Sequence, residues 1–350
     1  MKDQDIITNP TVERSEVPLS KADFVSDQMV RWCPGCGSHA ILNSVEVVFP
    51  KIGYKKENFM IVSGIGCSSR FPYYVNTYGF HGIHGRASAI ATGVKLANPG
   101  LSVWIATGDG DSMAIGGNHF IHLIRRNVDV NLLLFNNQIY GLTKGQFSPT
   151  SPIGTVTKTS PQGTIEHPFN PGELVIGSQG TFFARVIDSN QKMMTEVMFE
   201  AARHDGTSVI EILQNCIIFA DKTHAQITSK EFRDDRQLHL ENGKPMLFGK
   251  EREKGIRLNG TQLEVVNVGK GGITEKDVLV HDQYSVDPGI HLMLAKMSFP
   301  ELPVALGVIR SARFSTFDDQ VEEQILIAKA HAKIRNVDDL LNSGDTFIVN

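Results

Sequence analysis

Residues 101–146 read LSVWIATGDGDSMAIGGNHFIHLIRRNVDVNLLLFNNQIYGLTKGQ. An apolar run, predicted as a strand over 102–106, leads into Gly108-Asp109-Gly110. The spacing predicts a helix over 112–126 and a second apolar strand over 131–135 that ends in Asn136-Asn137. A right-handed strand–helix–strand unit places both strand ends on one edge of a parallel sheet. Asp109 and Asn137, 28 positions apart, therefore meet at the carboxyl edge, where α/β sheets bind ligands. A carboxylate, an amide oxygen and a nearby backbone carbonyl are hard ligands that suit Mg²⁺, which shares its octahedron with phosphate oxygens and water. Gly108 and Gly110 let the backbone approach a diphosphate, and a following helix N-terminus favours the anion. A plain turn with a capping Asp would explain a lone Gly-Asp-Gly; the paired asparagines after the next strand count against it.

Outward from this unit the same alternation continues. Apolar, β-rich runs at 59–63 and 208–213 read as further strands, and 39–48, 87–97 and 191–204 read as helices. In the last of these Met194, Val197, Met198 and Ala201 share one face, a pattern of core packing. The fold class is α/β: a parallel sheet flanked by helices over 21–235, after a mobile tail over 1–20. The Ser-, Thr-, Pro- and Gly-rich stretch 145–173 has no period, and so long a loop inside a domain is usually functional. Beyond it, 236–350 reads as an α+β extension, with hairpins at Asn242-Gly243 and Asn259-Gly260. A final amphipathic helix is predicted over 317–334, with Asp318 and Asp319 complementing its dipole.

Composition narrows the class. The chain of 350 residues is 41% hydrophobic and 21% charged, with a net charge of −4, which speaks against a nucleic-acid partner. No apolar run approaches the roughly 18 residues of a membrane helix, and the polar N-terminus lacks a signal-peptide core. A cytoplasmic, reducing location is expected, where disulfides are rare. The four cysteines, Cys33, Cys36, Cys67 and Cys216, then point to a metal site. Cys33-Pro-Gly-Cys36 is a tight two-thiol loop, while Cys67 and Cys216 each follow a predicted strand. Four thiolates so arranged can hold a 4Fe–4S cube or a zinc ion; independent buried cysteines are the third reading.

The motifs CPGCG, SGIGCSSRFP, GIHGRA, TGDGD, FNNQIYGLTKGQ and EILQNC occur in this order. Over roughly 23–221 the chain resembles the β subunits of 2-oxoacid:ferredoxin oxidoreductases, most closely the 2-oxoglutarate (2-oxoglutarate synthase) type, and more broadly the thiamine-diphosphate enzymes. The resemblance implies a thiamine-diphosphate-binding fold, with Asp109, the Asn137 side chain and the Ile139 carbonyl holding Mg²⁺. It implies that Gly110, Asp111, Gly141, Leu142 and Thr143 line the diphosphate, and that Ile65, Gly66, Cys67, Ser68 and His84 contact the cofactor. It implies Cys33, Cys36, Cys67 and Cys216 as ligands of one 4Fe–4S cluster. The activity implied is oxidative decarboxylation of a 2-oxoacid to acyl-CoA (succinyl-CoA) and CO₂, in either direction, with coenzyme A as co-substrate and ferredoxin as electron acceptor.

Only the diphosphate-binding half of such an enzyme is present, so no catalytic residue is assigned to this chain. The activating glutamate is expected from an α or fused α/γ subunit, in a heterodimer or a dimer of heterodimers. Arg70, three positions after Cys67, has two readings: recognition of the distal carboxylate of 2-oxoglutarate, or of a cofactor or partner anion. On the residues alone His84 reads as capping or core, and His119 and His122 as packing or polar-face residues. Rival functions are a pyruvate-type or broad-specificity enzyme, a non-redox thiamine subunit with structural zinc, and a non-catalytic electron-transfer subunit.

Overall fold

Continuous apolar runs become strands buried on both faces, because helices cover each side of the sheet they form. The structure, a computed structural model, describes residues 11–347 and 349. In chain order the strands are β1 (Phe59–Ser63), β2 (Tyr78–His81), β3 (Ser102–Gly108), β4 (Asn131–Asn136), β5 (Ile139–Tyr140), β6 (Gln146–Phe147) and β7 (Phe182–Ile187). They continue as β8 (Ser208–Leu213), β9 (Gln237–His239), β10 (Leu247–Phe248), β11 (Lys254–Asn259), β12 (Gln262–Asn267) and β13 (Val304–Ser311). Eight form one sheet in the order β2-β1-β3-β4-β8-β7-β13-β9, parallel except where β13 runs against β7.

Alternate residues of each strand feed two apolar layers. Trp104 and Ala106 of β3 face the layer of helices Ser38–Ile52 and Gln191–Ala201, where Phe49, Met194, Val197, Met198 and Ala201 are buried. Val103 and Ile105 face the opposite layer, built by helices Ala87–Ala97 and Gly117–Arg126 with Phe120 and Leu123. The methionine stripe is core, as its spacing indicates.

Several expectations change. The predicted helix 112–126 breaks into a π-turn over Asp111–Ile115 and an α-helix over Gly117–Arg126. The wider turn leaves Gly116 packed on Gly85, where a Cβ would meet the Gly116 amide nitrogen at 2.6 Å; such π segments recur at functional sites. Of the tail expected over 1–20, residues 1–10 lie outside the described residues. The following ten are not free: Val12 is buried, the Ser15 amide donates to the Gly53 carbonyl, and Glu13 pairs with Lys55. The C-terminal region does not stand apart as an extension, because β9 and β13 complete the main sheet. Asn259-Gly260 does turn a hairpin between β11 and β12. Asn242-Gly243 does not, since β9 joins β13 while β10 joins β11. The helix expected over 317–334 as the last one precedes a short helix, Val337–Leu341, and spans Phe317–His331, capped by Thr316, whose hydroxyl accepts from the Asp319 amide. It is not amphipathic: Ile325, Leu326 and Ile327 are consecutive, so about 100° steps spread them around the axis, and all three are exposed.

Buried polar groups pin the edges of the layers. His204 Nε2 lies 2.8 Å from the Thr181 hydroxyl, which donates to Asn127 Oδ1 at 2.7 Å. Burial pushes His204 down to about 4, so the fold holds it neutral. Because the unfolded chain takes up that proton near pH 6.5, the stabilisation is complete above 6.5 and is lost as the pH falls towards 4. The loss amounts to about 3 kcal/mol. Denaturant titrations should therefore show the stability gap between wild type and His204→Asn narrowing from pH 7 to pH 4. A gap that stays constant would refute a buried neutral imidazole.

Candidate functional site

Four adjacent parallel strands, β1, β3, β4 and β8, end on one edge, and each delivers a motif there. β1 leads into Gly64-Ile65-Gly66-Cys67, β3 into Asp109, β4 into Asn137, and β8 into Gln214 and Cys216.

Asp111 ties the ends of β1 and β3 to the His84-Gly85 turn. Its Oδ1 accepts from the Ile65 amide at 3.1 Å, the Gly85 amide at 2.7 Å and His84 Nδ1 at 2.6 Å, while Oδ2 accepts from the Thr107 hydroxyl at 2.7 Å. A Cβ on Gly64 would collide with this carboxylate, which explains the glycine. The His84 ring is fixed through Nδ1, leaving Nε2 as its other polar atom.

Asp109 is buried, and its Oδ2 accepts from the Ser148 and Thr150 hydroxyls at 2.5 and 2.6 Å. Burial pushes its carboxyl above the usual range, and the two hydroxyls oppose that shift. The Thr150 hydroxyl also lies 2.9 Å from Asn136 Oδ1, so its one proton is shared between Asp109 and Asn136; Asn136 Nδ2 donates to Glu211, and Glu211 pairs with Arg185 at 2.6 Å. Arg185 continues to the Ala295 carbonyl, so a buried polar chain runs from Asp109 to the helix Gly289–Lys296. Each member of that chain has a partner, as buried charges require.

Asn137 donates through Nδ2 to Gln214 Oε1 at 3.1 Å and accepts through Oδ1 from the Ile139 amide at 3.2 Å. Tyr140 lies across Gly110, where any side chain would strike its ring, and donates its hydroxyl to the Gly110 carbonyl at 3.0 Å. Burial, with Asp109 and Asp111 nearby, pushes that phenol up to about 12, so it remains a donor.

These groups enclose a cavity of about 490 Å³, within the range of cofactor sites. The cofactor-site residues anticipated from 65–68, His84, 109–111 and 137–143 all line it. Neither Lys nor Arg is among its lining residues. Arg70 is not on its wall: its Nη1 lies 3.4 Å from the Tyr74 hydroxyl. A larger groove, about 870 Å³, is walled by mixed charges such as Lys192, Glu196, Glu200 and Arg313, and contains none of the anticipated residues.

The cysteines approach the same cavity. A Cβ on Gly141 would lie 3.5 Å from Cys216 Sγ and 3.6 Å from Cys67 Sγ. Burial pushes the Cys67 thiol up to about 11, with added repulsion from Cys36, Cys216 and Cys33. Cys36 is raised by burial too, and Cys33 is exposed. The Trp32 indole donates to the Cys67 carbonyl at 2.6 Å and holds that turn. Among the described residues, no three His, Cys, Asp or Glu side chains gather closely enough to hold a single metal ion.

Sequence reasoning passed over Ser148, Thr150, Tyr140 and Gln214 as site residues. Ser148 and Thr150 sit in the aperiodic loop 145–173, whose length was the available signal.

Residues 64–212 match a family model described as thiamine pyrophosphate enzyme, C-terminal TPP binding domain. Subunit KorB of a 2-oxoglutarate oxidoreductase from Mycobacterium tuberculosis is 46% identical over 97% of this chain and 91% of its own. Subunit beta of 2-oxoacid:ferredoxin oxidoreductase 2 from Aeropyrum pernix is 42% identical over 63% of this chain and 69% of its own. Among solved structures, a 2-oxoglutarate:ferredoxin oxidoreductase from Magnetococcus marinus, with 2-oxoglutarate, coenzyme A and succinyl-CoA bound, superposes with a TM-score of 0.76. It is 29% identical and covers 96% of this chain and 100% of that one.

Replacing Gly64 by Ala should displace Asp111 and release its four donors. Leaving buried donors unpaired costs about 1–3 kcal/mol each, so we expect the unfolding free energy from urea titration to fall by about 1 kcal/mol or more. Unchanged stability of Gly64→Ala would show that the carboxylate is not held as described.

Proposed function

Because the chain belongs to the β subunits of the 2-oxoacid:ferredoxin oxidoreductases, we propose that its cavity is the thiamine-diphosphate half-site of a 2-oxoglutarate-type enzyme, with Mg²⁺ and one 4Fe–4S cluster beside it. The enzyme is thiamine-dependent, and coenzyme A is its co-substrate. The single observation that carries the cation is electrostatic. A pocket for a diphosphate contains Asp109 and Asp111 and has neither Lys nor Arg on its wall. A divalent cation reconciles these charges. Asp109, Asn137 Oδ1 and the Ile139 carbonyl supply the hard oxygen donors, and Gly110, Asp111, Gly141, Leu142 and Thr143 the space around the phosphates. Ile65, Gly66, Cys67, Ser68 and His84 form the opposite wall.

The cluster reading rests on four thiols in one neighbourhood beside the cavity, spaced too widely to share a single metal ion. Cys67 feels the charge of Cys33, Cys36 and Cys216, and glycine at 141 keeps the space between two of the sulfurs open. Thiolates so placed fit an iron–sulfur cube.

When bound, thiamine diphosphate supplies the carbanion chemistry of decarboxylation, and an adjacent cluster supplies one-electron transfer. The chain's own residues position and protonate. Asp111 fixes the His84 ring through Nδ1, so Nε2 is the atom that can carry a proton at the cavity wall. Tyr140 holds the Gly110 carbonyl, keeping the turn beside Asp109 in shape. The buried Asp109–Thr150–Asn136–Glu211–Arg185 chain resists movement of the cation ligand.

An α subunit completes the enzyme, and ferredoxin is the proposed electron acceptor. The glutamate that activates the cofactor would come from the α subunit, so this chain alone should be inert. Arg70 is proposed to read the distal carboxylate of the substrate; its place beyond the cavity wall suits a contact at the substrate end rather than with the diphosphate. Among the described residues no helix is long and apolar enough to cross a membrane.

The test is co-expression with the α subunit followed by iron analysis and a viologen assay across 2-oxoacids. We expect a brown protein with four irons per β chain, coenzyme A-dependent reduction preferring 2-oxoglutarate, and no activity from the β chain alone. A colourless zinc-containing complex would sink the redox reading. Asp109→Asn should weaken magnesium-dependent cofactor binding about tenfold or more. Arg70→Ala should lose the preference for 2-oxoglutarate over pyruvate; a preserved ratio would remove Arg70 from substrate recognition.

A further inference from the structure

One side chain spans the space between the two groups of ligands. Gln214 follows the last residue of β8, is 2% exposed, and is locked through its backbone amide, which donates to the Asn136 carbonyl at 3.0 Å. Its Oε1 accepts from Asn137 Nδ2 at 3.1 Å. Its Nε2 donates to the Ser38 hydroxyl at 2.7 Å and lies 3.9 Å from Cys36 Sγ. Ser38 is fully buried, and its oxygen is 3.4 Å from the same sulfur.

We propose that Gln214 is a positioning residue for both cofactors, aiming Asn137 Oδ1 at the cation and making Ser38 a hydrogen-bond donor to the Cys36 sulfur. This rests on the cation and cluster reading above. Its logic is one of hydrogen-bond direction. A carboxamide has one accepting and one donating end. With its oxygen on Asn137 Nδ2, Gln214 turns the asparagine so that its carbonyl end is left for the metal. With its nitrogen on Ser38 Oγ, it occupies an acceptor site of that hydroxyl and leaves the hydroxyl proton free to point elsewhere. In the free protein the Cys36 thiol donates to Ser38. A thiolate bound to iron has no proton to donate, so the contact persists only if Ser38 donates to sulfur. Hydrogen bonds to cluster sulfurs stabilise the reduced form and raise the reduction potential. The chain Asn137→Gln214→Ser38→Cys36 thus runs in one direction from the cation ligand to the cluster ligand.

The test uses the complete αβ enzyme with three variants, Gln214→Leu, Gln214→Glu and Ser38→Ala. Magnesium-dependent cofactor binding is read by calorimetry, and the cluster midpoint by EPR-monitored titration. Gln214→Leu removes both ends, so cation affinity should fall about tenfold or more and the midpoint should move negative. Gln214→Glu keeps an acceptor for Asn137 but presents an oxygen to Ser38 and draws its proton away from sulfur. Its midpoint should fall while cation affinity changes less than in the leucine variant. Ser38→Ala should lower the midpoint and leave cation affinity within about twofold. If the leucine variant does not fold, Gln214→Glu and Ser38→Ala decide the matter between them. A well-folded Gln214→Leu enzyme with unaltered affinity and midpoint overturns the proposal alone. So does a Gln214→Glu or Ser38→Ala enzyme whose midpoint does not fall. A wild-type complex without iron or without magnesium dependence overturns the cofactor reading itself, and this proposal with it.

Discussion

The site depends on a carboxylate whose hydrogen bonds are all made within the protein. Asp111 accepts four hydrogen bonds from segments that belong to three different parts of the chain, and it is buried where those bonds cannot be exchanged for water. Parallel topology brings the strand ends to one edge, but it does not hold the loops beyond them in register. The carboxylate does so, pulling the turn after β1, the His84-Gly85 turn and the end of β3 onto one point. The glycine at 64 and the π-turn at 111–115 are the local concessions that let the carboxylate reach there.

Around that anchor the electrostatics are arranged to want a guest. Asp109 is buried among hydroxyls rather than cations, and its proton affinity is raised as a result. Cys36 and Cys67 are in the same position, Cys67 pushed up to about 11 by burial and by its neighbours. In both places burial works against the charged form, and a bound metal centre would offset that cost. The polar chain that begins at Asp109 ends on the helix Gly289–Lys296, so the C-terminal region buttresses the site although none of its described residues lines the cavity.

What could be read from the sequence was whatever depends on short range. The apolar runs of β1, β3, β4 and β8 mark themselves by continuity, and Gly-Asp-Gly with Asn-Asn marks the edge they share. The cavity-lining residues near 65–68, 109–111 and 137–143 followed from those anchors together with the family resemblance. Ser148 and Thr150 did not, because a hydroxyl in an aperiodic loop acquires meaning only when tertiary folding lays it on Asp109. Gln214 was visible only as one letter of EILQNC, and its role lies in contacts to residues 77 and 176 positions away. β13 was hidden for another reason. It enters the sheet antiparallel from a region whose turns resemble a separate hairpin unit, and pairing across such distance leaves no local signal. The helix Phe317–His331 was placed within a few residues, but its face was not, since three successive apolar residues have no single side.

The late arrival of β13 bears on how the molecule is made. During synthesis the sheet up to β8 can assemble as soon as residue 213 has emerged, but β7 then has a bare flank. The slot is filled only when residues 304–311 appear, some ninety positions later. Until then a run of Phe182, Phe183, Ala184, Arg185, Val186 and Ile187 offers unpaired amides and carbonyls to any passing strand. A nascent chain of this kind is most prone to aggregate in that interval, and a ribosome that pauses between the two segments would prolong it.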